Sequence, residues 1–263
     1  MARNDAPLSA AARHLVLIPS YNPGKIGIEA VRAARAQWNP VWVIVDGSTD
    51  DSPEALAAMA AADPGLRVLV QARNQGKGAA VLHGARLACA GGFTHALVMD
   101  GDGQHPAQCI AEFMQASRAE PDAVILGEPR FAADAPALRV RGRRISNWWA
   151  NLETLWSGIH DSLFGFRVYP LADLIDVMET NRWMRRFDFD PEMAVRLAWR
   201  GLPLRNLPAP VRYLRPEDGG VSHFHYWRDN ALLSWMHLRL VLGAIWHLPR
   251  LLYRRFTTGR RGL

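Results

Sequence analysis

Val41-Trp42-Val43-Ile44-Val45 runs without a polar break into Asp46-Gly47-Ser48-Thr49-Asp50-Asp51-Ser52, and Pro53 follows. Five consecutive apolar, mostly β-branched residues have the make-up of a strand buried on both faces. Ser52 as N-cap, Pro53 at the first helical position and Glu54 in the first turn predict a helix over residues 53–62. The unit is strand, polar turn, helix, and it repeats along the chain. Residues 14–18 are an apolar run ending at Pro19, followed by a helical stretch over 26–38. Residues 66–70 precede a helix over 78–90, residues 96–99 precede a helix from Pro106, and 123–126 form a fifth strand. This alternation predicts an α/β domain with a mostly parallel sheet and helices on both faces. Ligands in such sheets bind beyond the carboxyl ends of the strands. The segments to read for chemistry are therefore 19–24, 46–52, 73–78, 100–106 and 127–131.

With 263 residues, the chain has room for one large domain or two small ones. An apolar fraction of 49% and a charged fraction of 21% exclude a disordered or collagen-like chain. Two cysteines, Cys89 and Cys109, are too few for a disulfide scaffold, so a reducing cytosolic setting is expected. The first residues hold no apolar core of signal-peptide length. Charge is divided unevenly: residues 1–135 carry 11 basic and 14 acidic side chains, residues 136–263 carry 20 and 11. A basic back half suits nucleic acid, an anionic membrane or a phosphorylated substrate.

Asp100-Gly101-Asp102-Gly103-Gln104 is the sharpest motif. Two carboxylates two residues apart, just past a buried strand, can aim at one cavity, and the glycines let backbone turn tightly there. Carboxylate and amide oxygens are hard ligands suited to Mg²⁺ or Mn²⁺. An acidic turn capping the next helix is the competing reading. Asn74-Gln75-Gly76-Lys77-Gly78 opens a helix, where backbone N–H groups and a lysine suit an anion. It is neither a P-loop nor a dinucleotide fingerprint.

Four motifs then stand in register: Ile18-Pro19-Ser20-Tyr21-Asn22-Pro23, Val45-Asp46-Gly47-Ser48-Thr49-Asp50, Asn74–Gly78 and Met99–Pro106. Together with Asp161-Ser162-Leu163-Phe164-Gly165-Phe166-Arg167 and Phe187-Asp188-Phe189-Asp190-Pro191-Glu192, they resemble family 2 inverting glycosyltransferases of GT-A fold. Over residues 14–225 the pattern is most similar to dolichyl- or polyprenyl-phosphate sugar synthases. Ser222-His223-Phe224 also resembles glycosyltransferases found beside aryl-polyene pigment genes in bacteria. The resemblance implies that Pro19, Tyr21 and Asn22 border the nucleotide base and that Asp46 accepts a hydrogen bond from it. It puts Asp100 at the ribose or metal, and Asp102 and Gln104 on the metal. Lys77 falls on the nucleotide side, assisting at the diphosphate. Such enzymes usually carry two acids before Gly-Ser, where Val45 and Asp46 stand here, and an acid at Pro23. UDP and GDP both stay open as the donor nucleotide.

The back half is read for the acceptor. Arg139, Arg141, Arg143 and Arg144 stand beside Trp148, Trp149 and Trp156. Aromatics among arginines fit single-stranded nucleic acid, a membrane interface or an amphipathic helix with a solvated basic face. The resemblance puts an acceptor phosphate on Arg144 and Ser146. Arg167 and His223 are further acceptor-side candidates. Asp161 is the expected catalytic carboxylate, as base for a hydroxyl acceptor or as an orienting group for a phosphate. Asp188, Asp190 and Glu192 are the runners-up. Residues 226–263 are apolar and basic, interrupted by His237, Arg239, His247 and Arg250, with Pro249 expected to break or kink the helix. An interfacial amphipathic helix on an anionic membrane surface fits better than a span. A packing or homo-oligomer-forming helix pair is the competing expectation.

The expected architecture is a GT-A domain over 1–225, divided into a nucleotide-binding half (14–131) and an acceptor half (132–225), with a basic amphipathic tail. The expected activity is metal-dependent transfer of a sugar from a UDP- or GDP-linked donor to a lipid-phosphate or lipid-linked acceptor. The protein would work peripherally on the inner face of the cytoplasmic membrane, without nucleic acid. The alternatives are a sugar nucleotidyltransferase and an inactive nucleotide or lipid binder.

Overall fold

The computed structural model describes residues 13–131, 137–211 and 226–258. Four βα units and a fifth strand lead the chain: β1 (His14–Ser20), α1 (Gly24–Gln37), β2 (Val41–Asp46), α2 (Ser52–Ala62), β3 (Leu66–Gln71), α3 (Lys77–Ala90), β4 (His95–Val98), α4 (Ile110–Ala119) and β5 (Val124–Phe131). Then come α5 (Ala137–Glu153), β6 (Arg167–Pro170), α6 (Leu171–Glu179), α7 (Phe189–Arg200), β7 (Leu204–Val211) and α8 (Tyr226–Thr258). The seven strands form one sheet in the order β3-β2-β1-β4-β6-β5-β7, with β6 antiparallel to both neighbours.

Every residue of β1 and β2 is buried, because helices cover both sides of the sheet. Alternate residues of β1 feed two cores. Leu15 and Leu17 meet α3, α6 and α7, while Val16 and Ile18 meet α1 and α4. Met236, Leu240 and Leu251 of α8 belong to the first of these cores.

Three expectations are corrected. Residues 127–131 form strand rather than loop, pairing in parallel with Leu207–Val211 of β7. The sequence hid β7 behind Pro208 and Pro210, which an edge strand tolerates because an edge N–H needs no ladder partner. Ser52 is not the N-cap of α2; Asp51 holds that position, and the Asp50 carboxylate accepts both the Ser52 N–H and hydroxyl. Finally, Pro249 does not break α8, which runs on through it. Arg250 and Arg254, just beyond it, donate to the last carbonyls of α7 at Ala198, Trp199 and Arg200, pinning the helix past the proline.

Antiparallel β6 fixes the location of the site. Arg167 pairs with Val98, the last residue of β4, and with Leu126 of β5. The loop entering β6 therefore lies at the carboxyl ends of the neighbouring strands, beside Asp100–Gln104.

Candidate active site

Lys77 sits at the first position of α3, and its Nζ lies 2.6 Å from Asp100 after β4 and 2.6 Å from Asp190 in the first turn of α7. Gly165 makes this approach possible: a Cβ there would stand 2.5 Å from Lys77 Nζ and 3.2 Å from both Asp100 Oδ2 and Asp190 Oδ1. Burial opposes the lysine charge, but the two carboxylates override it and hold the ammonium above its ordinary range. Burial likewise works against the Asp100 charge, and the Lys77 cation outweighs it, keeping that carboxyl below its usual range. Asp102 goes the other way. Burial, then the charge of Asp100, push it up to about 6.

His105 braces this turn from behind. Its Nδ1 accepts the Asp100 N–H at 2.9 Å, and the edges of Phe164 and Phe166 pack on its ring. Burial pushes it down to about 4, consistent with a neutral imidazole that serves as an acceptor.

Beyond β1 and β2 the loops brace each other. Asn22, at φ +43°, accepts the Thr49 N–H and donates to the Thr49 hydroxyl, and the Asp50 carboxylate accepts the Gly24 N–H. Asp46 is 2% exposed and holds the next turn, accepting the N–H groups of Gln75 (2.8 Å) and Gly76 (2.7 Å).

These loops open into a cleft of about 1610 Å³. Pro19, Tyr21, Asn22, Asp46, Lys77, Asp100, Asp102 and Gln104 all line it, so the expected nucleotide and metal residues are brought together. The cleft continues along α5 and α8, lined by Arg141, Arg143, Ser146 and Trp149, then Arg228, Leu233, His237 and Val241.

The acceptor-side residues are placed less uniformly. Ser146 lines the cleft, whereas Arg144 is exposed and lies off its wall. Arg167 is fully buried, its guanidinium donating to the carbonyls of Asp161, Ser162 and Asp190 and to the Tyr169 hydroxyl. Asp161 is also outside the lining. One oxygen pairs with Arg143 at 2.7 Å and accepts the Leu163 N–H, and the other accepts from Asn147. His223 lies outside the described residues. Asp190, in contrast, lines the cleft with one carboxylate oxygen on Lys77 and the other, Oδ1, buried without a hydrogen-bond partner. Asp188 holds the preceding loop through the N–H groups of Met184 and Arg186, and Glu192 is buried between Arg196 and Arg239.

A model of glycosyl transferase family 2 matches residues 15–190. The chain belongs to this family. It is a glycosyltransferase, and its mostly parallel seven-stranded sheet with helices is the GT-A architecture expected from the motifs. Polyprenol monophosphomannose synthase of Mycolicibacterium smegmatis is 27% identical over 215 residues, 75% of each chain. Dolichyl-phosphate beta-glucosyltransferase ALG5C of Trichomonas vaginalis is 28% identical over 214 residues, 73% of this chain and 61% of that one. Among solved structures, glucosyl-3-phosphoglycerate synthase from Mycobacterium tuberculosis, in complex with Mn²⁺, UDP-glucose and phosphoglyceric acid, superposes with a TM-score of 0.63 at 13% identity, covering 89% of this chain and 79% of that one. S. aureus TarS 1-349 gives 0.55 at 15%, covering 95% and 73%. Both share the fold.

The contribution of Arg167 is testable. Arg167→Met leaves three carbonyls without their donor beneath the site, and is expected to cost about 3 kcal/mol of unfolding free energy. Urea titration checks this; a loss under about 1 kcal/mol would show that the carbonyls find other partners.

Proposed function

We propose that this glycosyltransferase moves a sugar, with inversion, from a UDP- or GDP-linked donor to a lipid-phosphate or lipid-linked acceptor at a membrane surface. The continuity of the cleft carries this reading. It joins a carboxylate-rich end at the strand termini to a wall of Ile145, Trp149, Leu233, Leu238 and Val241, flanked by Arg141, Arg143 and Arg228. A charged sugar nucleotide suits the first end and an isoprenoid chain with an anionic head the second. The names of the polyprenol and dolichyl-phosphate relatives support the same pairing.

Asp100, Asp102 and the Gln104 amide are a fitting donor set for Mg²⁺ or Mn²⁺, and Asp102, raised by burial and then by the Asp100 charge, is a carboxyl that a divalent cation would return to its charged form. When bound, such an ion neutralises charge on the departing nucleoside diphosphate. In this scheme Pro19, Tyr21, Asn22 and Asp46 border the nucleotide, and Lys77 adds a fixed positive charge. The acceptor oxygen bonds to the anomeric carbon as the bond to the diphosphate oxygen breaks. For a hydroxyl acceptor the proton passes to Asp190 Oδ1, whose unpartnered position supports it over Asp161 as base. A phosphate acceptor needs no base. Asp161 then orients Arg143 toward the acceptor, with Ser146 beside it.

The outer face of α8 supports the membrane part. Trp227 (85% exposed), Trp246 (86%), Leu242, Ile245 and Tyr253 stand open to solvent. Trp227–Arg255 holds an 18-residue stretch long and apolar enough to cross a bilayer, with a mean hydropathy of 1.3 and 17% of it buried. Its other face is docked on α5 and α7, which supports an interfacial position over a span.

Asp102→Asn is expected to abolish metal-dependent donor binding while leaving the melting temperature near that of the parent; calorimetry with and without Mn²⁺ decides, and equal donor affinity in all four titrations removes the metal role. Asp190→Asn, whose amide oxygen can still accept from Lys77, is expected to lower transfer to a hydroxyl acceptor by about 10²–10⁴-fold with donor affinity kept. Full activity in that variant would return the base role to Asp161 or to none. Replacing Trp227, Trp246, Leu242 and Ile245 together with serine should release the protein from anionic vesicles without loss of nucleotide affinity. Salt should weaken vesicle binding by the parent protein without eliminating it. A parent protein that ignores such vesicles contradicts the surface reading, and retention after carbonate extraction contradicts the interfacial one.

A further inference from the structure

His237, near the middle of α8, lies on the cleft wall and is 8% exposed. Its Nδ1 is 2.8 Å from Glu153 Oε1, and its Nε2 is 3.1 Å from Ser146 Oγ. The Ser146 oxygen lies another 3.1 Å from Ser162 Oγ. On outline this resembles a serine–histidine–acid relay, in which the imidazole takes the serine proton.

Counting hydrogens excludes that use. Asn147 is fixed in orientation, because its Nδ2 donates to Asp161 Oδ2 and its Oδ1 accepts the Ser162 N–H. A flipped amide would set NH₂ against N–H and oxygen against carboxylate. The Ser162 hydroxyl therefore gives its single hydrogen to Asn147 Oδ1, at 2.9 Å. The contact between the two serines then requires the hydrogen of Ser146. With that hydrogen spent, Ser146 and His237 can bond only through a hydrogen on Nε2. The imidazole faces Ser146 as a donor, so Ser146 is not an activated nucleophile. A second proton is shared between Nδ1 and Glu153, whose carboxyl is pushed up by burial.

The bonds continue from Asn147 through Asp161 to Arg143, which lines the cleft. One unbroken line thus links the docked face of α8 to the basic wall. We propose that His237, backed by Glu153, is a positioning residue for the acceptor: its Nε2–H turns the Ser146 hydroxyl toward Ser162, and the line on through Asn147 and Asp161 holds Arg143 at the acceptor end of the cleft. The inference rests on the reading of Arg143 as an acceptor contact.

The test measures the affinity of the full chain for a short-chain prenyl monophosphate, with inorganic phosphate and the matching prenyl alcohol as controls. Ser146→Ala and His237→Leu should each weaken monophosphate binding about tenfold, the scale of one charge-assisted hydrogen bond from a displaced Arg143. The double variant should bind no more weakly than either alone. His237→Gln, whose amide can still donate to Ser146, should recover most of the affinity. Alcohol binding and nucleotide affinity should not move, and free phosphate should bind far more weakly than its prenyl ester. Nitrogen-15 spectra of the parent protein should show Nε2 protonated. Weak binding by Ser146→Ala with parent-like binding by His237→Leu overturns the inference, as does a bare Nε2. A parent protein that ignores the monophosphate overturns the acceptor reading and the inference with it, and an unaffected Ser146→Ala overturns the inference alone. Should His237→Leu fail to fold, His237→Gln and the nitrogen spectrum decide the matter: a tenfold loss in the glutamine variant with a bare Nε2 in the parent counts against it.

Discussion

The ammonium of Lys77 between Asp100 and Asp190 is the constraint on which the site depends. It gathers the start of α3, the turn after β4 and the first turn of α7, three elements that the chain order keeps far apart. Two carboxylates so close could not both stay charged in a buried setting without a cation between them. Gly165 must lack a side chain for the same reason, since a methyl group there would meet the lysine nitrogen. Arg167 holds this assembly from below through backbone carbonyls, and His105 holds the acidic turn from behind.

Much of the architecture was legible because local patterns and packing agree. Apolar runs of four to six residues, each followed by a polar turn and a helix, admit few arrangements besides a covered parallel sheet. The antiparallel insertion of β6 was not legible: four residues carry no mark of strand direction, and direction depends on where the preceding loop returns. β7 was hidden by prolines that only an edge position makes harmless.

In the site, residues within one turn of a strand end were readable, and residues defined by distant partners were not. Asp100, Asp102 and Gln104 share a motif, and all reach the cleft. Asp190 ranked behind Asp161 because its partner Lys77 is 113 residues away, and spacing along the chain carries no trace of such a pair. In the sequence Arg167 stands among the acceptor-side candidates. Its complete burial against carbonyls turns it into framework. His237 carried no motif at all; it matters through Glu153 and Ser146, residues 84 and 91 positions away.

The docking of α8 also bears on how the chain can vary. Met236, Leu240 and Leu251 share a core with β1 and α3, Gly243 lies against Trp199, and Arg254 covers Gly201. A helix so deeply keyed into the domain is no detachable appendage. Shortening it would open the interior to water, whereas its outward face is free to exchange residues without disturbing the fold.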